Sequence, residues 1–308
     1  MRPQASRGMA LALLAWTLSG CGGTAELETG DPGDLLVFAP HPDDEALGCA
    51  GILRQAIARG KRVKVVLFTN GDGFPAFAAL LARKPAESLT PEDYAELARY
   101  RQNQSRTALK ELGGNPEDLV FLGYPDAGLD QVYLTRGPEP FRQKFTQRTE
   151  TAGRGAPYTQ ASALADTVEL LRTFKPGRVC VTSEADRHRD HQAACRFVRD
   201  AVKEAGYRGA FDTYLIHGGP EWPWPLGITP QSRLEEHLVK GERIPSGVSW
   251  PPPRRVPLSP EETRFKLAAI RAHATHLADA PPGPLRQERD YLESFVKSEE
   301  IFWPAATR

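Results

Sequence analysis

The chain has 308 residues, 40% hydrophobic and 25% charged, with 39 Lys and Arg against 39 Asp and Glu. That length can bury a substantial core in one large domain or two small ones. The charge balance leaves no bulk field to gather nucleic acid or anionic lipid, so a nucleic-acid partner is disfavoured at the outset.

Arg2 and Arg7 flank a short apolar stretch from Met9 to Leu18, too short to span a bilayer as a mature helix. It runs into Leu18-Ser19-Gly20-Cys21, which resembles a bacterial lipobox. The resemblance implies a signal peptide over residues 1–20 and a lipidated Cys21 opening a flexible tether over 21–33. Such a protein sits in the bacterial cell envelope, held by its lipid anchor, and Gly22 favours the outer membrane of a Gram-negative cell. An ordinary secretory signal peptide with a chance cysteine is the alternative. The remaining cysteines, Cys49, Cys180 and Cys195, lie in apolar or helical contexts without C-x-x-C spacing, and are expected as buried free thiols.

Residues 34–308 are expected to form a single domain. An apolar strand at about 34–39 enters a polar turn and a helix to about 59, followed by a strand over 62–69 ending at Asn70-Gly71-Asp72-Gly73. Strand, helix, strand in this order predicts a parallel pair with a right-handed crossover. Phe74 to Leu89 is apolar but broken by Pro75 and Pro85, and is expected as an inserted lid. Thr90 and Pro91 open a helix to about Leu112, closed by Gly113-Gly114. A strand over 119–122 precedes a surface excursion at 127–158 and an amphipathic helix from Ala161 to Phe174. The next strand, 178–182, leads through Ser183 to His191 into a helix ending near Ala205, and a fifth strand covers 213–217. Residues 218–260, rich in Pro and Trp, are expected as an ordered loop, and helices at about 260–276 and 285–302 close the chain. The pattern predicts an α/β fold, a Rossmann-like three-layer sandwich with a mostly parallel sheet of about five strands plus inserted loops. Ligands of such sheets bind beyond the carboxyl ends of the strands, and no G-x-G-x-x-G or P-loop supplies a nucleotide cradle.

Two turns at strand ends carry the reactive groups. The first is Ala39-Pro40-His41-Pro42-Asp43-Asp44-Glu45, and the second is His188-Arg189-Asp190-His191. Carboxylates at a helix start can be simple caps, but three in a row with a histidine exceed that need. Histidine and carboxylate from one turn with histidine from another form an N/O donor set suited to Zn2+, and also to iron or cobalt. His217 could face the same site or be structural, Trp222 and Trp224 could stack on a sugar or pack a loop, and His237 is expected to face solvent.

The run from Ala39 to Gly51 and the His188–His191 turn resemble the signature pair of the PIG-L (LmbE-like) N-acetylglucosamine deacetylases. Thr69-Asn70-Gly71-Asp72, Phe121 to Asp126, and Lys266 with Ala269, Ile270 and His273 resemble further motifs of that family. The resemblance implies zinc-dependent hydrolysis of an N-acetylglucosamine-type amide by activated water. It places His41, Asp44 and His191 on the metal, Asp43 as general base, and His188 as oxyanion stabiliser and acid. Asp190 is implied as the carboxylate orienting a histidine, and Arg101 and Asp126 as substrate-binding residues. Protonated His188 would hold the oxyanion together with the metal. Gln104 stands where relatives often have Glu, leaving Arg101 without its expected acid, and His276 stands where many have Gln. Expected partners are an N-acetylated sugar or glycoconjugate and, through the lipid alone, the membrane. The alternatives are a zinc hydrolase of another amide or ester, and a non-catalytic glycan-binding lipoprotein.

Overall fold

A computed structural model describes residues 33–219, 222–234, 244–277 and 284–307. The leader, Cys21 and His237 lie outside these residues, as does the side chain of His276. Among the described residues no helix is long and apolar enough to cross a membrane.

The first strand, β1 (Leu35–Ala39), is buried along its whole length. Leu35, Val37 and Ala39 pack into one core while Leu36 and Phe38 pack into another. A strand with two buried faces cannot alternate polar and apolar residues, which explains its continuous apolar run. Helices α1 (Asp44–Ala58), α3 (Pro91–Glu111) and α7 (Pro260–His273) pack together, with α1 and α7 sharing the first core. Helices α4 (Leu129–Leu134), α5 (Gln160–Phe174) and α6 (Arg189–Glu204) cover the second core. Between them run β2 (Val63–Thr69), β3 (Leu119–Tyr124), β4 (Arg178–Thr182) and β5 (Ala210–Tyr214), all parallel with β1. The three-layer α/β expectation is therefore met.

The sheet has seven strands, in the order β3-β2-β1-β4-β5-β7-β6. The two beyond the expected five are β6 (Arg254–Pro257), inside the presumed Pro-rich loop, and β7 (Glu299–Pro304), where a helix was expected to run on. The last helix, α8 (Pro284–Glu293), stops well short of 302. Both strands are antiparallel to their neighbours, and their hydrophobic pattern is hidden by buried charge. Arg255 meets Glu299 at 2.6 Å, and Lys266 meets Glu300 at 2.7 Å. The expected lid contains a short helix, α2 (Pro75–Ala82), and a capping box at Thr90 and Asp93 starts α3 as anticipated.

Strand order reverses between β1 and β4, where the chain leaves the sheet in both directions. This switch point opens a crevice beyond the strand ends. Gly48 lets α1 come this close, because a Cβ there would stand 2.2 Å from the Tyr214 ring.

Candidate active site

The turn after β1 bends sharply at Asp43, whose φ of 127° is strained for a residue with a side chain. Glu45 steadies it by accepting the Asp43 N–H at 3.0 Å. The turn folds back on itself as Asp44 Oδ2 accepts the His41 backbone N–H at 2.9 Å. Beyond β4, His188 caps α6, its Nδ1 accepting the Asp190 N–H at 3.2 Å. That bond leaves Nε2 of His188 to carry the ring hydrogen.

Three donor atoms converge at the crevice. Asp44 Oδ2 lies 3.1 Å from His41 Nδ1 and 3.2 Å from His191 Nε2, and the two nitrogens are 3.2 Å apart. A tetrahedral ion with donors at about 2.0–2.1 Å spaces them about 3.3 Å apart, so this triangle fits one face of a zinc site. His188 extends the cluster, with a donor within 4.8 Å of those of His41 and His191. Each ring of the triangle has a carboxylate on its far nitrogen: Asp186 at 3.1 Å from His191 Nδ1, and Asp126 and Asp190 at 3.3 and 3.4 Å from His41 Nε2. Such outer partners fix ring orientation and raise ligand basicity.

Asp190 is itself fixed by backbone N–H groups of Ala127 and Leu129, at 2.8 and 3.1 Å. Asp126 accepts the Gly73 N–H at 2.6 Å. Asp186 was not anticipated. It accepts N–H groups from His188, Ile216 and His217, tying the second turn to the chain after β5. Its one sequence signal is its position two residues before His188, which resembles any turn acid.

Charge follows from this packing. Burial opposes protonation of His191, but Asp44 and Asp186 outweigh it and raise its pKa to about 9. His41 is likewise raised by Asp126, Asp190 and Asp44 against the burial penalty. A bound cation replaces those ring protons, so binding releases acid. Burial lifts Asp43 to about 6, with Arg101 opposing and Asp44 and Glu45 adding. Burial and the positive His41 and His191 push His188 down to about 4, so its ring is neutral near neutrality. The expected protonated His188 would need a hydrogen on Nδ1, where this ring accepts the Asp190 N–H.

His41, Asp43, Asp44, Arg101, Asp126, His188 and His273 line one cavity of about 450 Å³, with His191 buried behind them. Phe74, Phe77, Ile216, Tyr291 and Leu292 give it an apolar wall, and Glu288 adds a carboxylate. Arg101, expected to lack an acid, holds Asp43 Oδ2 at 3.0 Å and donates to the carbonyls of Pro42 and Gly71 at 2.5 and 3.1 Å. Gln104 points elsewhere, donating to the His273 carbonyl at 2.8 Å. His217 also lines the cavity, its ring 5.5 Å from that of His188. Trp222 packs inward, donating from Nε1 to the Leu215 carbonyl, and Trp224 is not among the residues lining the cavity. Cys49, Cys180 and Cys195 are buried and free.

The sequence profile of the PIG-L family, described as GlcNAc-PI de-N-acetylase, matches residues 36–202. The chain belongs to the PIG-L family. It is 27% identical over 278 residues to the 1D-myo-inositol 2-acetamido-2-deoxy-alpha-D-glucopyranoside deacetylase of Nocardia farcinica, covering 82% of this chain and 83% of that protein. The fold of this PIG-L member is similar to that of N,N'-diacetylchitobiose deacetylase from Pyrococcus horikoshii, with a TM-score of 0.55 and 17% identity over 90% of this chain and 85% of that one. It is also similar to that of 4-carboxy-2-hydroxymuconate hydratase from Pseudomonas putida, with a TM-score of 0.54 and 15% identity over 90% and 97% of the two chains. A PIG-L-like fold thus accompanies more than one chemistry, and function rests on the side chains.

Proposed function

We propose that this protein is a zinc-dependent N-deacetylase of an N-acetylglucosamine-type sugar or glycoconjugate, carried on the bacterial envelope by lipidated Cys21. The observation that carries the reading is the triangle of His41, Asp44 and His191 donors, of which His41 and Asp44 line the same cavity as Asp43. Relatives named for removing an acetyl group from a glucosamine derivative support the same reaction class. The proposed domain plan is a leader over 1–20, a tether over 21–33 and the hydrolase over 34–308.

His41, Asp44 and His191 would hold the ion, which when bound supplies Lewis acidity toward water and an amide carbonyl. Asp43 accepts the proton of the attacking water, and Arg101 keeps its carboxylate ionised and aimed. His188, with Nδ1 tied to the Asp190 N–H, offers Nε2–H to the carbonyl oxygen as charge develops there. One such donor contributes roughly 3–4 kcal/mol to the transition state. The proton that Asp43 has taken from the water is then available to the departing nitrogen, while His188 keeps its single N–H. Asp190 and Asp126 orient His41, and Asp186 orients His191. The apolar wall of Phe74, Phe77 and Tyr291 suits the face of a pyranose ring and excludes water around the amide.

The test is acetate release from a panel of N-acetylglucosamine glycosides by the chain lacking residues 1–20. Activity should vanish on chelation, return with zinc, and fall roughly 10²- to 10⁴-fold in Asp43→Asn. Unchanged turnover in that variant would refute the assigned base. Cleavage of esters or other amides with no acetate from any sugar would move the assignment to another hydrolase.

A further inference from the structure

Four carboxylates and one guanidinium line the cavity: Asp43, Asp44, Asp126 and Glu288 against Arg101. Three of the carboxylates are matched. Asp44 faces the His41 and His191 rings, Asp126 faces His41 Nε2, and Asp43 is held by Arg101 at 3.0 Å. Glu288 differs, for among the described residues its carboxylate has no hydrogen bond or ion pair. Nor is that carboxylate sealed away: Glu288 is half-buried, and its oxygens are not among the unpartnered atoms that lack solvent contact. Glu288, Tyr291 and Leu292 are three and four residues apart on α8, which puts them on one helical face, and all three line the cavity. Tyr291 pins that face by donating to the Ile216 carbonyl at 2.9 Å. Burial, and then the charge of Asp43, push the Glu288 carboxyl above its usual range, with Arg101 opposing. Glu288 and Asp43 thus feel each other's charge across the cavity they share.

An unmatched carboxylate drawn partly out of water is unfavourable, and one on a cavity wall imposes its charge on whatever enters. Arg101 offers little to an incoming anion, because it already meets Asp43 and the carbonyls of Pro42 and Gly71. We infer that Glu288 is a charge filter of the proposed deacetylase. It favours an N-acetylglucosamine-type substrate whose group lying against α8 is neutral or cationic, and rejects one that carries a phosphate or carboxylate there. Repulsion of the wrong ligand is a route to specificity as effective as attraction of the right one. The inference rests on the deacetylase reading and narrows its substrate class.

The experiment offers the zinc-loaded protein three N-acetylglucosamine glycosides of nearly equal size, the propyl, 2-aminoethyl and carboxymethyl. A second series carries the same three groups on O6. In at least one series the wild type should rank aminoethyl above propyl above carboxymethyl, with kcat/KM spread roughly 10- to 100-fold. Glu288→Gln should compress that spread about 10-fold, and Glu288→Lys should reverse the order. Either variant decides the point should the other not fold. A wild type indifferent to charge in both series, a preference for the anion, or the full spread retained by Glu288→Gln would overturn the inference. Absence of acetate release from every sugar defeats the deacetylase reading separately. Dissociation constants of the same glycosides, read by calorimetry, then judge the filter: the same ranking sustains it, and equal constants refute it.

Discussion

Two buried polar clusters lie in this fold, and they are built on opposite plans. Beside β6 and β7, fixed charges are matched by fixed charges. Glu300 takes Lys266 at 2.7 Å and the Gly51 and Ile52 N–H groups at 2.7 and 3.0 Å, while Asp212 sits between Arg178 and Arg254. At the crevice beyond β1 and β4, Asp44, Asp126, Asp186 and Asp190 face imidazoles instead. An imidazole can surrender its proton near neutral pH, whereas Lys and Arg hold theirs. The first cluster is therefore closed, a scaffold. The second can exchange protons for a cation without leaving bare charge behind. Burial alone does not separate site from scaffold; the titratability of the counter-charge does.

The contrast breaks most visibly in a pair of isosteric changes. Asp44→Asn removes the anionic corner of the donor triangle, so zinc measured by mass spectrometry on folded protein should fall to background and acetate release with it. Glu300→Gln should do the reverse, lowering the unfolding free energy by about 3–5 kcal/mol because Lys266 is left uncompensated, with zinc per folded molecule unchanged. If Glu300→Gln loses zinc while remaining folded, the two clusters are coupled and the distinction fails. A smaller effect comes from Asp186→Asn. Asp186 lies outside the donor triangle but holds His191 Nδ1 at 3.1 Å, so metal affinity by competitive chelation should weaken about 10- to 100-fold. An unaltered affinity would mean that the backbone alone orients His191.

How far each cluster was legible follows from the same difference. The turn from His41 to Glu45 stands between a strand and a helix adjacent in the chain, so periodicity placed its donors at a strand end. The His188–His191 turn was legible for the same reason, and the two proved to converge. Asp186 escaped because its partners come from the chain after β5. Glu288 and Tyr291 reach the cavity from α8 through packing that no local pattern encodes, and His273 of α7 was marked only by its family motif. The missing strands β6 and β7 failed on chemistry. Arg254, Arg255, Glu299 and Glu300 are all buried, and alternation cannot be recognised when charged residues occupy inward positions.

Lys297 offers the smallest and most selective test, because it is the scaffold's exception. It is 1% exposed, and its described hydrogen bonds go to the carbonyls of Gly227 and Ser294. Burial first, and then the charge of Lys266, pull its pKa from 10.5 down to about 7. In the window between those two values the unfolded chain binds a proton that the folded chain has released, so stability rises with pH there. Below about 7 both states are protonated and the full cost of a buried ammonium is felt; above 10.5 the cost is gone. Lys297→Met removes the charge and keeps much of the volume. Its gain over the parent should be on the order of 1–3 kcal/mol at pH 6.5, after the lost carbonyl contacts are offset, and should shrink steadily toward pH 10. Urea unfolding of both proteins at pH 6.5, 8 and 9.5 reads this directly. A difference that stays constant with pH would place the effect in packing and return Lys297 to the closed scaffold.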